Sequence, residues 1–363
     1  MAVTSNPNTQ QKSSKFRAIG VMSGTSLDGL DLSLAEYSYK NNYWDYIIVK
    51  TETVPYPKTF KESLRNATNV SGNELMRQDA LFGKWIAKRI LKFIPQKEEK
   101  IHVIGSHGHT IFHNPKEGYT TQIGNGAHIA AVTGIPCVCD FRMGDIARKG
   151  QGAPLAPIGD ELLFNKFDYC LNIGGIANIS YRKNNKRIAY DICPANMALN
   201  QIANQLGLEY DDGGKIGKTG EVIIPLLNKL NELNYYKKAG AKSLGREWFE
   251  SIFLPIINKY TSAPANLLRT VYEHIATKIS ETLQGNSNST VLITGGGAKN
   301  NFLLMLLKNK CKNKLIIPSH DIIDFKESLI FGFLAVLYMN KVSSCLSSAT
   351  GAIEDSIGGC LYY

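Results

Sequence analysis

Apolar residues arrive along this chain in short runs cut by glycines and polar turns, and their spacing alternates between the strand period and the helix period. After a polar start, the run 16–22 predicts a strand that breaks at Ser23-Gly24. The segments 30–37 and 43–53 predict two further strands, with Lys40-Asn41-Asn42 as the turn between them, which makes an antiparallel meander. Helix-period positions follow over 58–70 and 73–93, the second aligning Leu81, Trp85, Ile86, Ile90 and Phe93. A strand is predicted at 101–105, a helix at 127–133 and a buried strand at 136–139.

The pattern then starts again. The run 169–173 is a strand cut by Gly174-Gly175, with further strands at 176–181 and 186–190. Helices are predicted over 196–206, 221–233, 246–257 and 267–283. A buried strand at 291–293 ends in Thr294-Gly295-Gly296-Gly297, a helix covers 301–307, and a long apolar helix covers 327–339. No short-period repeat is present, so a solenoid is not expected. What recurs is a unit of strand, glycine turn and strand. The expectation is an α/β protein of two domains, 16–165 and 166–363, facing across a nucleotide and substrate cleft with a glycine loop from each side. The last helix or tail is free to return to the first domain.

Composition narrows the functional classes. The 363 residues suffice for two cores, with 44% hydrophobic and 20% charged residues in an ordinary globular balance. The net charge of +10 raises a nucleic-acid reading. The basic residues, however, are dispersed, with local density at 12–15, 97–100, 182–187 and 308–314 and no aromatic-interleaved stripe. A positive field serves an anionic small substrate equally well. The seven cysteines fit no disulfide framework, and Cys137 and Cys139 have the wrong spacing for a zinc or redox motif. Residues 1–15 lack the apolar stretch of a secretory signal, and the longest apolar run, 329–339, is too short to span a bilayer. A cytoplasmic protein without nucleic-acid or membrane partners is expected.

Three glycine loops follow strands. In Gly24-Thr25-Ser26-Leu27-Asp28-Gly29 the glycines let backbone N–H groups approach phosphate oxygens, the hydroxyls add donors, and Asp28 can hold Mg²⁺. The same residues suit a plain hairpin turn. Asn172-Ile173-Gly174-Gly175-Ile176-Ala177-Asn178-Ile179 has the same form. Gly295-Gly296-Gly297-Ala298-Lys299-Asn300 joins a strand to a helix, where it can lie against a purine or take a phosphate at the helix N-terminus. Residues 213–219 mimic a P-loop but carry Asp212 where the first glycine belongs. His107, His109 and His113 suggest metal, with His107 and His109 on one side of an extended segment; substrate hydrogen bonding is the better reading. The stretch 140–157 falls between the two halves. There Asp145, in a hinge, can act as general base and Arg142 can neutralise phosphate charge.

Taken in order, these motifs resemble the anhydro-N-acetylmuramic acid kinase family. The resemblance rests on Gly20-Val-Met-Ser-Gly-Thr-Ser-Leu-Asp-Gly-Leu-Asp31, Gly105-Ser-His-Gly-His-Thr-Ile-Phe-His113, Gln122-Ile-Gly124, Asp140-Phe-Arg142 and Gly150-Gln-Gly-Ala-Pro-Leu155. It continues in Asn172-Ile-Gly-Gly-Ile-Ala-Asn178, Ser243-Leu-Gly-Arg-Glu247 and Gly295-Gly-Gly-Ala298, and so covers the chain from about Phe16 onward. It implies the actin-like ATPase (ribonuclease H-like) fold and a homodimer. It also implies an ATP- and Mg²⁺-dependent reaction that opens a 1,6-anhydro sugar with water and phosphorylates the freed O6, in cell-wall recycling.

By the same resemblance Asp145 is the catalytic aspartate, beside Arg142. Gly24, Thr25, Ser26, Asp28, Gly29, Gly174 and Gly175 hold phosphates, and Gly295, Gly296, Gly297 and Ala298 hold adenosine. His107, His113 and Gln122 lie on the sugar side with Glu327 at the start of the last helix, and the carboxylate for Mg²⁺ is Asp28, Asp191 or both through waters. Three departures stand out. His109 replaces a glutamine, Lys149 replaces a glycine, and the family's Asp-x-Gly-Pro-Gly-Asn reads Asp191-Ile-Cys-Pro-Ala-Asn196, putting Cβ atoms at Cys193 and Ala195. A kinase of another sugar, or a non-catalytic nucleotide- or sugar-binding relative, are the alternatives.

Overall fold

The computed structural model describes residues 14–24, 27–95, 99–238, 240, 242–283 and 288–363, so Thr25 and Ser26 of the first glycine loop lie outside the described residues. The chain divides into two compact units: residues up to Leu163 together with Glu327–Tyr363, and Phe164–Lys326.

In the first unit, β1 (Ser14–Ser23), β2 (Leu30–Lys40) and β3 (Tyr43–Val54) form the antiparallel meander that the turn residues predict. Next come β4 (Val103–Asn114), β5 (Tyr119–Ile123) and β6 (Cys137–Cys139), with β4 parallel to β1 and β6 parallel to β4. The second unit repeats the scheme with β7 (Tyr169–Ile173), β8 (Ile176–Lys183), β9 (Lys186–Pro194), β10 (Thr290–Thr294) and β11 (Lys314–Ile316). A final strand, β12 (Cys360–Tyr362), pairs antiparallel with β6.

The first sheet runs β12-β6-β4-β1-β2-β3, with β5 on β4, and the second runs β11-β10-β7-β8-β9. Each unit thus has three antiparallel strands continued by parallel ones. That is the strand order of the actin-like, ribonuclease H-like core.

The first core packs Ile19, Val21, Leu32, Leu34 and Ile104 against the helix Gly72–Phe93 through Phe82, Trp85, Ile86, Ile90 and Phe93. Ser71 caps that helix by accepting from Glu74 N, and Glu74 stands three residues on, as in a capping box. Leu81, assigned to the buried face by period, is instead 41% exposed and Phe82 takes the core position.

The other face of the sheet is sealed by the helix His320–Met339. At Gly20 an added Cβ would lie 1.6 Å from Ser328 O, and at Gly105 2.0 Å from Phe331 O. Backbone therefore touches backbone there, and only glycine fits. The chain re-enters the first unit at Glu327, within this helix.

In the second unit, Leu171, Ile173, Val291 and Ile293 meet Leu268, Val271 and Ile275 of the helix Pro264–Thr282 and Leu303 and Leu307 of the helix Asn301–Lys310. The predicted single helix at 246–257 is three pieces, with a π-helical turn Phe249–Phe253 between two α segments. Pro255 lacks the N–H that would continue the α ladder, which accounts for the break. Among the described residues no helix is long and apolar enough to cross a membrane.

Candidate active site

The β1–β2 connection holds the first glycine loop. Leu27 N donates to Gly24 O at 3.2 Å, and Leu27, at φ 58°, buries its side chain while Asp28 stays exposed. Gly29 lies so close to Thr53 and Val54 that a Cβ would meet Thr53 Cγ2 at 2.6 Å. The base of the loop is pinned from below. Tyr56 donates to Ser23 Oγ at 2.6 Å, and Ser23 Oγ lies 2.8 Å from His109 Nδ1. Burial pulls His109 down to about 4, so the ring is neutral at physiological pH. The family's glutamine position is thus filled here by a buried, uncharged ring that supports the loop.

His107 and His109 do not share a setting, because Gly108 at φ 71° breaks the strand alternation between them. Arg142 donates to His107 Nε2 from Nε at 3.0 Å and from Nη2 at 2.8 Å. A guanidinium cannot accept, so His107 must carry its proton on Nδ1, where Gly108 O lies 3.0 Å away. Burial first, then the Arg142 charge, hold His107 well below the usual histidine range. His107 is a fixed neutral acceptor that aims Arg142. Arg142 also donates from Nη1 to Gly152 O at 2.7 Å, and Glu327 offsets part of its burial cost. Glu327 is exposed and stands well inside the helix His320–Met339, not at its start. The helix begins earlier than the apolar run because its first residues, His320 to Lys326, are largely polar.

The β4–β5 hairpin brings His113 and Gln122 together. Register places Thr110 opposite Gln122 and His113 opposite Thr120. Gln122 Nε2 donates to Thr120 Oγ1 at 2.7 Å, and His113 Nδ1 lies 3.1 Å from the same oxygen. His113 is exposed, and partial burial with the charge of Arg142 lowers its proton affinity.

Asp145, expected in a hinge between the two halves, is enclosed by its own unit. It sits on the short helix Met143–Ala147 and is 0% exposed. Thr350 donates to Oδ1 at 2.7 Å and Gly152 N to Oδ2 at 2.8 Å. A Cβ at Gly150 would lie 2.1 Å from Oδ2. Both carboxylate oxygens are therefore committed to protein donors, and the loop 150–152 is folded around them. Thr350, distant in sequence, gave no local signal of this role.

In the second unit, Gly174 and Gly175 form the β7–β8 turn. Their carbonyls receive Asn196 N at 3.1 Å and Ala195 N at 2.8 Å, so the turn holds the start of the helix Asn196–Ala203. An added Cβ would find its nearest neighbour at 3.4 Å on Gly174 and 3.7 Å on Gly175, so the protein's own packing demands glycine at neither. At the third loop Gly295, with φ 79° and Ile173 O 2.8 Å from a Cβ, and Gly297, 2.2 Å from Ile173 Cγ2, are required by the fold, whereas Gly296 has more room. The following helix, Asn301–Lys310, is capped by Asn300 Oδ1, which accepts Leu303 N at 3.0 Å. That cap satisfies the Leu303 N–H within the protein itself.

Asp191, on β9, combines burial with an incompletely occupied carboxylate. Leu244 N donates to Oδ2 at 2.8 Å, and the backbone is fixed by Lys242 O and by Tyr235 OH. Burial pushes the carboxyl up to about 6, against the opposing pull of the Leu244 N–H. Cys193 and Ala195 are both 0% exposed and belong to the second core. Their Cβ atoms point inward, so the two departures from the family motif are packing changes rather than obstructions at the surface. Among the described residues no group of three or more His, Cys, Asp or Glu side chains could hold a metal by itself.

The family described as anhydro-N-acetylmuramic acid kinase matches residues 16–363. The anhydro-N-acetylmuramic acid kinase of Pseudomonas fluorescens (strain Pf0-1) is 36% identical over 365 residues, 95% of this chain and 98% of the relative. That of Sulfurovum sp. (strain NBC37-1) is 34% identical, covering 96% and 99%. With near-complete coverage on both sides, the chain belongs to the anhydro-N-acetylmuramic acid kinase family and is a sugar kinase, a phosphotransferase that uses ATP.

Proposed function

We propose that this kinase opens 1,6-anhydro-N-acetylmuramic acid with water and transfers the γ-phosphoryl group of ATP to the released O6, in recycling of cell-wall sugar, with Asp191 as the general base. The observation that carries the assignment of the base is the contrast between the two candidate aspartates. Asp145 has both oxygens occupied by protein donors, whereas Asp191 has one backbone donor and a proton affinity raised to about 6. A base poised near the working pH is what proton transfer favours.

Asp191 takes a proton from the water that attacks C1. The C1–O6 bond breaks, O6 attacks the γ-phosphorus, and ADP leaves; the proton on Asp191 passes to solvent. One sugar, one water and one ATP give sugar 6-phosphate, ADP and one proton.

In this reading His107 holds Arg142 toward the anionic groups of the reaction, and His113, Gln122 and Glu327 position the sugar. Asp145 is a positioning residue that keeps the loop 150–152 and, through Gly152 O, the Arg142 side chain in place. Gly174 and Gly175, glycines that the fold itself does not need, leave room for phosphate, while the family resemblance assigns phosphate to the 24–29 loop as well and adenosine to Gly295–Ala298.

When bound, Mg²⁺ would supply neutralisation of charge on the transferring phosphoryl group. The exposed carboxylate of Asp28 fits it, since this ion keeps waters and binds through one or two carboxylates plus substrate phosphates. Asp191, with one oxygen held by Leu244, suits the base better than a second ligand. A homodimer and a cytoplasmic setting are part of the same proposal and rest on the family resemblance.

The test is ADP release with and without the anhydro sugar, with the product weighed by mass spectrometry. A product heavier than the substrate by one water and one phosphoryl group is expected. ATP turnover that yields no phosphorylated sugar would overturn the proposal.

A further inference from the structure

The cysteines hold a chemistry that the kinase reaction does not use. Strand β12 pairs with β6 so that Cys360 lies directly opposite Cys139, and Tyr362 opposite Cys137. Directly opposed residues of an antiparallel pair project to one face with Cα atoms about 4.5–5.5 Å apart, inside the range of about 4.4–6.8 Å that a disulfide spans. A second contact confirms the shared face. A Cβ on Gly126 would meet Cys139 Sγ at 2.6 Å and Tyr362 Cδ2 at 3.0 Å, and Tyr362 lies two residues from Cys360 on the same side of β12. Cys360 is exposed and Cys139 half-buried, while Cys137, Cys170, Cys193 and Cys345 are buried.

We propose that Cys139 and Cys360 form a reversible oxidation site for a low-molecular-weight disulfide of the glutathione class. The Cys360 thiolate attacks the small disulfide, giving a mixed disulfide and one small thiolate. Cys139 then loses its proton to solvent and attacks Cys360 Sγ, closing the Cys139–Cys360 bond and expelling the second small thiolate. The two protein thiols lose two electrons, and the small disulfide gains them. Burial pushes Cys139 up to about 12, so the closing step accelerates about tenfold per pH unit through neutral pH. The bond ties the chain's last strand to the strand that leads into Asp140-Phe141-Arg142. Gly358 already packs against Phe141 O there, 2.5 Å from where its Cβ would be.

The experiment uses the full chain, native, with glutathione disulfide, followed by alkylation, thiol counting and peptide mapping without reduction. Two of the seven thiols are expected to disappear, with one cross-linked peptide pair joining Cys139 to Cys360, both reversed by dithiothreitol. Cys360→Ser, an exposed change that leaves packing intact, abolishes the cross-link. A stable mixed disulfide on Cys360 without closure, a link between other cysteines, or no loss of thiols would each overturn the proposal.

Discussion

Lys149 holds φ at 65° at the position where the family carries glycine. A side chain in the left-handed region costs about 1–2 kcal/mol, part of which glycine returns as chain entropy. Lys149→Gly is therefore expected to stabilise the protein by up to about 1 kcal/mol, read as a higher urea midpoint at unchanged slope. The two aspartates should behave oppositely. Asp145→Asn puts a donor where Thr350 or Gly152 also donates, leaving a buried mismatch that costs about 1–3 kcal/mol.

Asp191→Asn keeps an acceptor for Leu244 N and removes a carboxylate whose ionised form burial disfavours. Its folded-state affinity for protons lies above the unfolded value, so the wild-type group favours folding at low pH. That contribution is lost as pH rises through about 6. The asparagine variant is expected to be more stable than wild type above pH 7, on the order of 1 kcal/mol or more, and to lose that advantage toward pH 4. Thermal unfolding across that pH range checks the sign.

At the scale of elements, the first sheet depends on a close approach between strands and helix. Gly105→Ala would drive a methyl into Phe331 O, and a loss of about 3 kcal/mol or more is expected, seen as a large drop in melting temperature. Much of the framework was legible in the sequence because its signals were local. Turn residues marked the meanders, and strand 169–173 was read to its ends. Elements whose existence depends on distant partners were not legible. Strands β5, β11 and β12 are short and owe their assignment to neighbours in the sheet, and β4, paired with β1 as far as His109, continues through His113 because β5 pairs with it beyond that point. The same limit governs the site. The glycine motifs were visible, but no local pattern shows that a threonine 205 positions away saturates Asp145. Nor does any show that Leu244 and burial tune Asp191.

For the whole molecule, the residues proposed for the reaction are spread along the chain: His107, Arg142, the β4–β5 hairpin and Asp28 belong to the first unit, and Gly174, Gly175, Asp191 and Gly295–Ala298 belong to the second. A base with a raised proton affinity makes kcat/KM fall on acidification through about pH 6 and level off above it, and Asp191→Asn should erase that limb from any residual activity. The most direct measurement compares sugar-dependent ADP release by wild type, Asp191→Asn and Asp145→Asn, each confirmed folded. The account predicts a loss of about 10²–10⁴ in kcat for Asp191→Asn, the range of general-base removal, and a smaller loss for Asp145→Asn. Wild-type turnover by Asp191→Asn, with Asp145→Asn inactive, would contradict it.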